Sequence, residues 1–478
     1  MGANITSIMA NGIPNRLAYR NGVWRPSRRS SRAVRIAAGV RPASIAADVL
    51  VLVIGVTSSF IVHLVGDIPV AELLLLPVLP LVLIMQGKRL NRSGLRLISI
   101  LTVVWLLGQI LTDVYRRTES LDWIRGDARI VFFAIDLFCV AILLANNERR
   151  RMIFIGAFGI GALLAAVLEP PELMADDPWK FGYSTGVNIL LVLTSCFFYS
   201  RRWYSLTALT LVGVVSINLV ENFRSAVLTV LIAMALVIPL IPERVGRLTL
   251  LPRVGSAWRI VVLALFALVG ALSAFGLVRL VTATGIIGEQ AQMKNREQAR
   301  GAGGLLLGGR PEILVSSHAV IDSPLIGHGS YARDFKYVEM LADMRAEEGI
   351  PTDLRDQEDA GGMIPAHSHL MSAWVQAGVL GAPLWIYVFW MVLKGISRIA
   401  MLRPPNAPIY AWMLVSLAWD ILFSPFGSTR RLIDAVAILI MLDMLEAGEK
   451  VMRALKLRRE AGIRRMPMRG RFAPSLRT

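Results

Sequence analysis

The chain reads as an all-α, polytopic membrane protein of about 12 transmembrane helices, with one large extracytoplasmic loop before helix 10. Three observations predict this. Of its 478 residues, 55% are hydrophobic and only 18% charged, whereas soluble domains are usually about a quarter charged. The mean hydropathy is +0.57. Apolar runs of the length that crosses hydrocarbon, about 20 residues at about 1.5 Å each, recur along most of the chain and rule out the soluble domains that its length would allow.

The runs fall near residues 44–65, 68–86, 95–112, 129–145, 152–168, 185–200, 205–220, 225–242, 260–283, 370–397, 408–425 and 430–448. The second carries Pro69, Pro77 and Pro80 and is expected to be kinked, because interior prolines remove backbone hydrogen bonds. Cys139 and Cys196 each sit inside an apolar run, which excludes a disulfide framework and a cysteine-based metal site.

Lys and Arg number 51 against 34 Asp and Glu, a net charge of +17. In a lipid-soluble chain such a surplus orients the spans. With the N-terminus inside, most of the basic residues fall on the inner face, and both termini are expected in the cytoplasm. Residues 1–42 carry eight arginines and no acid, a basic region too long for a cleavable signal, so 44–65 reads as an uncleaved anchor. The predicted organisation is a basic tail at 1–42, helices 1–9 over 43–283, the outer loop at 284–369, helices 10–12 over 370–448, and a second basic tail at 449–478. Both tails are expected to be unstructured and to meet anionic lipid headgroups rather than nucleic acid.

The outer loop begins with a glycine-rich linker, Gly301-Ala302-Gly303-Gly304, which lacks the Gly-Lys-Ser/Thr ending of a phosphate loop. Gly309-Arg310-Pro311-Glu312 then opens a helix, with proline suited to its first position and an acid to its first turn. Arg310 thus stands at a helix N-terminus, where a cation is unfavourable unless an anion binds nearby; an ordinary surface arginine is the alternative. A tight turn follows at Ser323-Pro324-Leu325-Ile326-Gly327-His328-Gly329, then an acid-rich amphipathic helix between Glu339 and Asp359. Pro365-Ala366-His367-Ser368-His369 closes the loop.

Three groups converge on the outer face: Arg224, Arg310 and the His367/His369 pair. Arg224 lies in the short turn before span eight, with Asn222 a fair helix cap. Helix N-termini and guanidinium forks both favour phosphate, although arginines also snorkel at span ends. His367 stands at the N-terminal edge of span ten, where the helix dipole favours the neutral imidazole that a general base requires. His-x-His also suggests metal ligands, but a third ligand is not identifiable. Asp136 and Asp420 are the hints of a proton or ion path. Asp-x-Asp and His-Glu-x-x-His are absent.

From about residue 205 to 395 the chain resembles the O-antigen ligase and O-antigen/exopolysaccharide polymerase superfamily of bacterial envelope glycan transferases. His367-Ser368 with Gly378 eleven residues on and Gly381 soon after matches the family's histidine motif. Arg224-Ser225-Ala226-Val227-Leu228 matches its first arginine, and Gly309-Arg310 followed by Pro324-Leu325-Ile326-Gly327-His328-Gly329 matches its second arginine and turn. Phe223 stands where a small polar residue is common, and the aromatic that often follows the second arginine is missing. The resemblance implies a metal-independent transferase of the bacterial inner membrane, without cofactors. It would move a saccharide from an undecaprenyl-pyrophosphate carrier to an acceptor hydroxyl on a lipid A core (ligase) or a lipid-linked repeat (polymerase). His367 would act as base, and Arg224 and Arg310 would bind pyrophosphate. The Gly378 interval selects His367 over His369, which lies about 200° further round the helix. A lipid-linked glycan flippase or other transporter is the alternative class.

Overall fold

A computed structural model describes residues 18–20, 23–25, 42–86, 92–237, 311–347 and 361–460. The chain divides into two units, Met1–Leu52 and Val53–Thr478. The first contains an antiparallel pair, β1 (Ala18–Arg20) and β2 (Val23–Arg25), within the tail expected to lack structure. The boundary falls inside helix α1 (Pro42–Thr57).

Among its described residues the regular structure of the second unit is helical apart from one short hairpin. Its elements are β3 (Ile61–His63), β4 (Asp67–Pro69), α2 (Val70–Gln86), α3 (Ser93–Arg116), α4 (Ser120–Leu143), α5 (Glu148–Leu168), α6 (Ser184–Ser200), α7 (Tyr204–Val220), α8 (Arg224–Val237), α9 (Pro311–Asp322), α10 (Phe335–Glu347), α11 (His369–Ala377), α12 (Ala382–Leu402), α13 (Ala407–Phe423) and α14 (Ser428–Glu460). Among the described residues, four stretches are long and apolar enough to cross a membrane: Ser93–Arg116, Glu148–Leu168, Trp179–Ser200 and Ala382–Ile399. Shorter apolar helices occupy most of the other expected spans. The expected ninth span, 260–283, lies outside the described residues.

The exposed surface of α3 shows why lipid is the solvent. Leu97, Ile100, Val103, Leu107, Leu111 and Val114 form an exposed apolar stripe at helical spacing, while Thr102, Gln109, Thr112 and Asp113 are buried. Water would favour the reverse. The chain is a helical membrane-embedded protein.

Four expectations need correction. The first span does not reach residue 65. Thr57 Oγ1 and Ser58 Oγ donate to the carbonyls of Val53 (2.8 Å) and Gly55 (2.6 Å), and β-branched Ile61 and Val62 then enter the β3–β4 hairpin. Pro69 ends β4 rather than interrupting a helix; Pro77 and Pro80 lie inside α2. The second tail is not wholly unstructured, because α14 continues unbroken to Glu460. Span ten is not one helix. It breaks after Ala377 into a 3-10 turn, Gly378–Leu380, before α12 begins with a proline in its first turn.

Inter-helix contacts sort the connections into two ends. At one end Arg92 and Arg151 both pair with Asp443 (2.7 and 2.9 Å), and Asn406 donates to Glu148 (2.7 Å). At the other, Arg116 donates to the Gly327 carbonyl (2.9 Å) and to Ser323 (2.7 Å), and Arg333 pairs with Asp122 (2.9 Å). This second end, formed by the β3–β4 hairpin and residues 117–119, 221–223, 311–347, 361–368 and 424–427, carries the candidate site.

The break in span ten is built by glycines that two separate segments bring together. His328 and Gly329 donate their backbone N–H groups to the carbonyls of Val375 (2.7 Å) and Gln376 (3.1 Å), and Val379 N–H returns a bond to Leu325 (3.2 Å). The turn therefore caps the open end of α11. Gly327 (φ +85°) and Gly378 (φ +59°) face each other here. A Cβ on Gly327 would lie 2.5 Å from the Gly378 nitrogen, and one on Gly378 would overlap the Leu325 carbonyl. Gly327→Ala is expected to lower the thermal midpoint of the detergent-purified protein by several degrees. Gly213→Ala, on α7 with open space around it, should leave it unchanged or raise it slightly. Equal midpoints for the two variants would contradict the proposed packing.

Candidate functional site

His367 is the exposed member of a tightly tied segment. Ser368 caps α11 from an extended backbone; its Oγ accepts from the Met371 N–H (3.1 Å) and donates to the Ile421 carbonyl on α13 (2.8 Å). Ser372 Oγ donates to the Ala366 carbonyl (2.7 Å). His369, the first residue of α11, is 0% exposed. Its Nδ1 donates to the Ser424 carbonyl (2.7 Å) and its Nε2 meets Asp434 on α14 (3.0 Å). A carbonyl only accepts, so Nδ1 carries hydrogen, and the bond at Nε2 needs one more proton, held by the imidazole or by Asp434. The ring also packs edge-on against Trp385 and Phe426, with centroids 4.9 and 5.1 Å away. The backbone of residues 366–369 is thereby fixed, while the His367 side chain remains 56% exposed.

His367 Nδ1 lies 3.8 Å from Glu312 Oε1, and Arg345 donates to the same oxygen at 2.8 Å. Glu312 is in the first turn of α9, as the Pro311-Glu312 pattern predicts. The helix reaches His367 because Val315, Ala319 and Val320 pack with Tyr337, Leu341, Ile364 and Val375, joining α9 and α10 to α11. Lys336 (2.6 Å) and Tyr337 (2.7 Å) donate to Asp322 and hold its carboxyl below the usual range. That support is present near neutrality and is lost as pH falls through the lowered pKa.

Arg224 begins α8, which packs on α7 and α13. Both it and His367 therefore lie at the end of the fold where α13 finishes. Asn222 is not the expected cap: its backbone is left-handed (φ +53°), and its side-chain oxygen accepts from the Arg224 guanidinium (3.2 Å). Arg310 lies outside the described residues, two positions before Glu312.

The two histidines diverge. Both nitrogens of His369 are engaged in the core, and His367 faces Glu312, so the pair does not present two ligands to one ion. Asp420, offered as a step in an ion path, is bound to Arg430 on α14. Asp136 is fully buried beside Glu72, which Arg431 grips through two hydrogen bonds (2.8 and 2.7 Å).

Sequence reasoning missed Glu312, Arg345, Asp434 and Arg129. Buried Arg129 donates to Gln376 (2.7 Å), just before the break in span ten. An arginine nine residues into an apolar helix is itself a signal of a buried partner. Pairings across the fold such as His369–Asp434 leave no local trace. No protein-family model matches the chain, and no curated protein matches it.

Breaking a buried pair by removing one partner typically costs about 3–5 kcal/mol. His369→Ala, which strands Asp434, is therefore expected to lower the thermal midpoint markedly, whereas His367→Ala should leave it within about a degree. Melting curves of both variants in the same detergent check this; an unchanged His369→Ala midpoint would contradict the clamp.

Proposed function

We propose that the chain is an integral-membrane glycosyltransferase of the O-antigen ligase and polymerase type. In this reading it moves an undecaprenyl-pyrophosphate-linked saccharide to an acceptor hydroxyl at the periplasmic face of the bacterial inner membrane, with both termini cytoplasmic. What carries the reading is His367: a solvent-facing imidazole on an immobilised backbone, with a carboxylate at its Nδ1. The spacing of His367, Gly378 and Gly381, and of Arg310, Pro324, Gly327 and Gly329, supplies the resemblance. The contact of Gly327 with Gly378 gives that spacing a physical purpose.

In the proposed reaction, His367 Nε2 takes the acceptor hydroxyl proton as the acceptor oxygen bonds to the sugar's anomeric carbon. The carbon–oxygen bond to pyrophosphate breaks, and its electron pair leaves with the lipid carrier. Arg224 and Arg310 hold the pyrophosphate and balance the charge that grows on it. Neither metal nor nucleotide enters. The acceptor is a lipid A core for a ligase, or the next lipid-linked repeat for a polymerase.

A lipid-linked glycan flippase is the second reading, and the discontinuous α11–α12 span favours it, since broken helices form transporter sites. In transporters those sites lie near the midplane, whereas α11 begins beside an exposed residue.

A deletion strain separates the outcomes: single unpolymerised repeats mark a polymerase, full-length glycan retained on its carrier a ligase, and accumulation at the inner leaflet a flippase. Complementation at equal expression is expected to fail with His367→Ala. Arg224→Ala and Arg310→Ala should lose roughly 10- to 150-fold, the worth of a charge-assisted bond, and lysine at either position should restore little, because the bidentate fork is lost. Full complementation by His367→Ala would sink the proposal.

A further inference from the structure

Glu312 is only 8% exposed, yet it sits within ion-pair distance of the proposed base. Burial of a carboxylate is tolerated where it is paired and hydrogen-bonded. Arg345 supplies one bond, to Oε1 (2.8 Å), and this same oxygen faces His367 Nδ1 at 3.8 Å. The first turn of α9 also suits an acid through the helix dipole.

We propose that Glu312, charge-balanced by Arg345, is the positioning residue of His367: it holds Nδ1 toward itself, leaves Nε2 to the acceptor hydroxyl, and stabilises the imidazolium formed when that proton is taken. The inference rests on the transferase reading of the site. Among the described residues, three groups bias His367. The N-terminus of α11 opposes its protonation, Glu312 favours it, and Arg345 tempers Glu312. His369, on the same helix, is turned into the core onto Asp434. A base oriented by a third group is a general requirement of such chemistry, and the contact is expected to shorten when substrate excludes water.

The test uses full-length protein in lipid nanodiscs, with nitrogen-15-labelled histidine and the His367 signal identified by its loss in His367→Gln. In Glu312→Gln the His367 titration midpoint should move to lower pH, and in Arg345→Met to higher pH. With purified lipid-linked donor and acceptor, Glu312→Gln should lower kcat 10- to 100-fold while KM for the donor stays within about threefold. The acid limb of its rate profile should move down with the titration, and Glu312→Asp should recover part of the rate. Unmoved midpoints in both Glu312→Gln and Arg345→Met would overturn the proposal. So would a rate loss in Glu312→Gln matched by a lower melting point and no change in midpoint, since that describes a purely structural pair. Midpoints that move as expected in a wild-type protein with no transfer activity would support the Glu312–His367 coupling and overturn its role in transfer. That last outcome separates failure of the transferase reading from failure of the contact.

Discussion

The rim that bears His367 depends on the first two turns of α14. Arg430, Arg431 and Asp434 lie within five residues, yet they reach Asp420 on α13, Glu72 on α2 and His369 on α11. Lipid provides little hydrophobic drive to bring helices together, so packing and buried polar contacts must do it. The Arg431–Glu72 fork is the strongest of these by geometry, with two parallel bonds between groups that are almost wholly buried. Removing either partner would strand a charge in a medium that cannot hydrate it. Trp105, Phe133, Trp385 and Phe426 fill the space beneath, their centroids 5.1 to 5.9 Å apart, and His369 packs against the same rings.

The second constraint is the interruption of span ten. A continuous helix would carry the backbone smoothly past residues 378–381. The positive φ of Gly378 ends α11 there, and the turn at 325–329 satisfies the carbonyls left open. The two motifs, some 50 residues apart in sequence, thus form one joint, and the joint sets where α11 presents its N-terminus. His367 precedes that N-terminus by two residues, so its place follows from backbone packing rather than from contacts of its own side chain.

Much of this was legible in the sequence because it is periodic. Apolar runs located most of the helices, and Pro311-Glu312 marked the start of α9 to the residue. The misses have a common cause. The end of α1 at Thr57 is decided by hydroxyls that compete for backbone carbonyls inside an otherwise apolar run. The break at Gly378 needs a partner turn that hydropathy does not see. Asn222 looked like a cap because its type suits one, but its left-handed backbone turns the side chain to Arg224 instead. Glu312, Arg345 and Asp434 became candidates only through their partners, and pairing over 33 to 65 residues is invisible to local pattern.

The central claim is that His367 serves a transfer reaction that draws on lipid-linked donor alone. The most direct test is reconstitution of the purified protein in liposomes with an undecaprenyl-pyrophosphate-linked glycan and its acceptor, in chelator and without nucleotide. The account predicts that glycosylated acceptor and free undecaprenyl pyrophosphate appear in equal amounts. Intact donor moved to the opposite leaflet, with no acceptor modified, would contradict it.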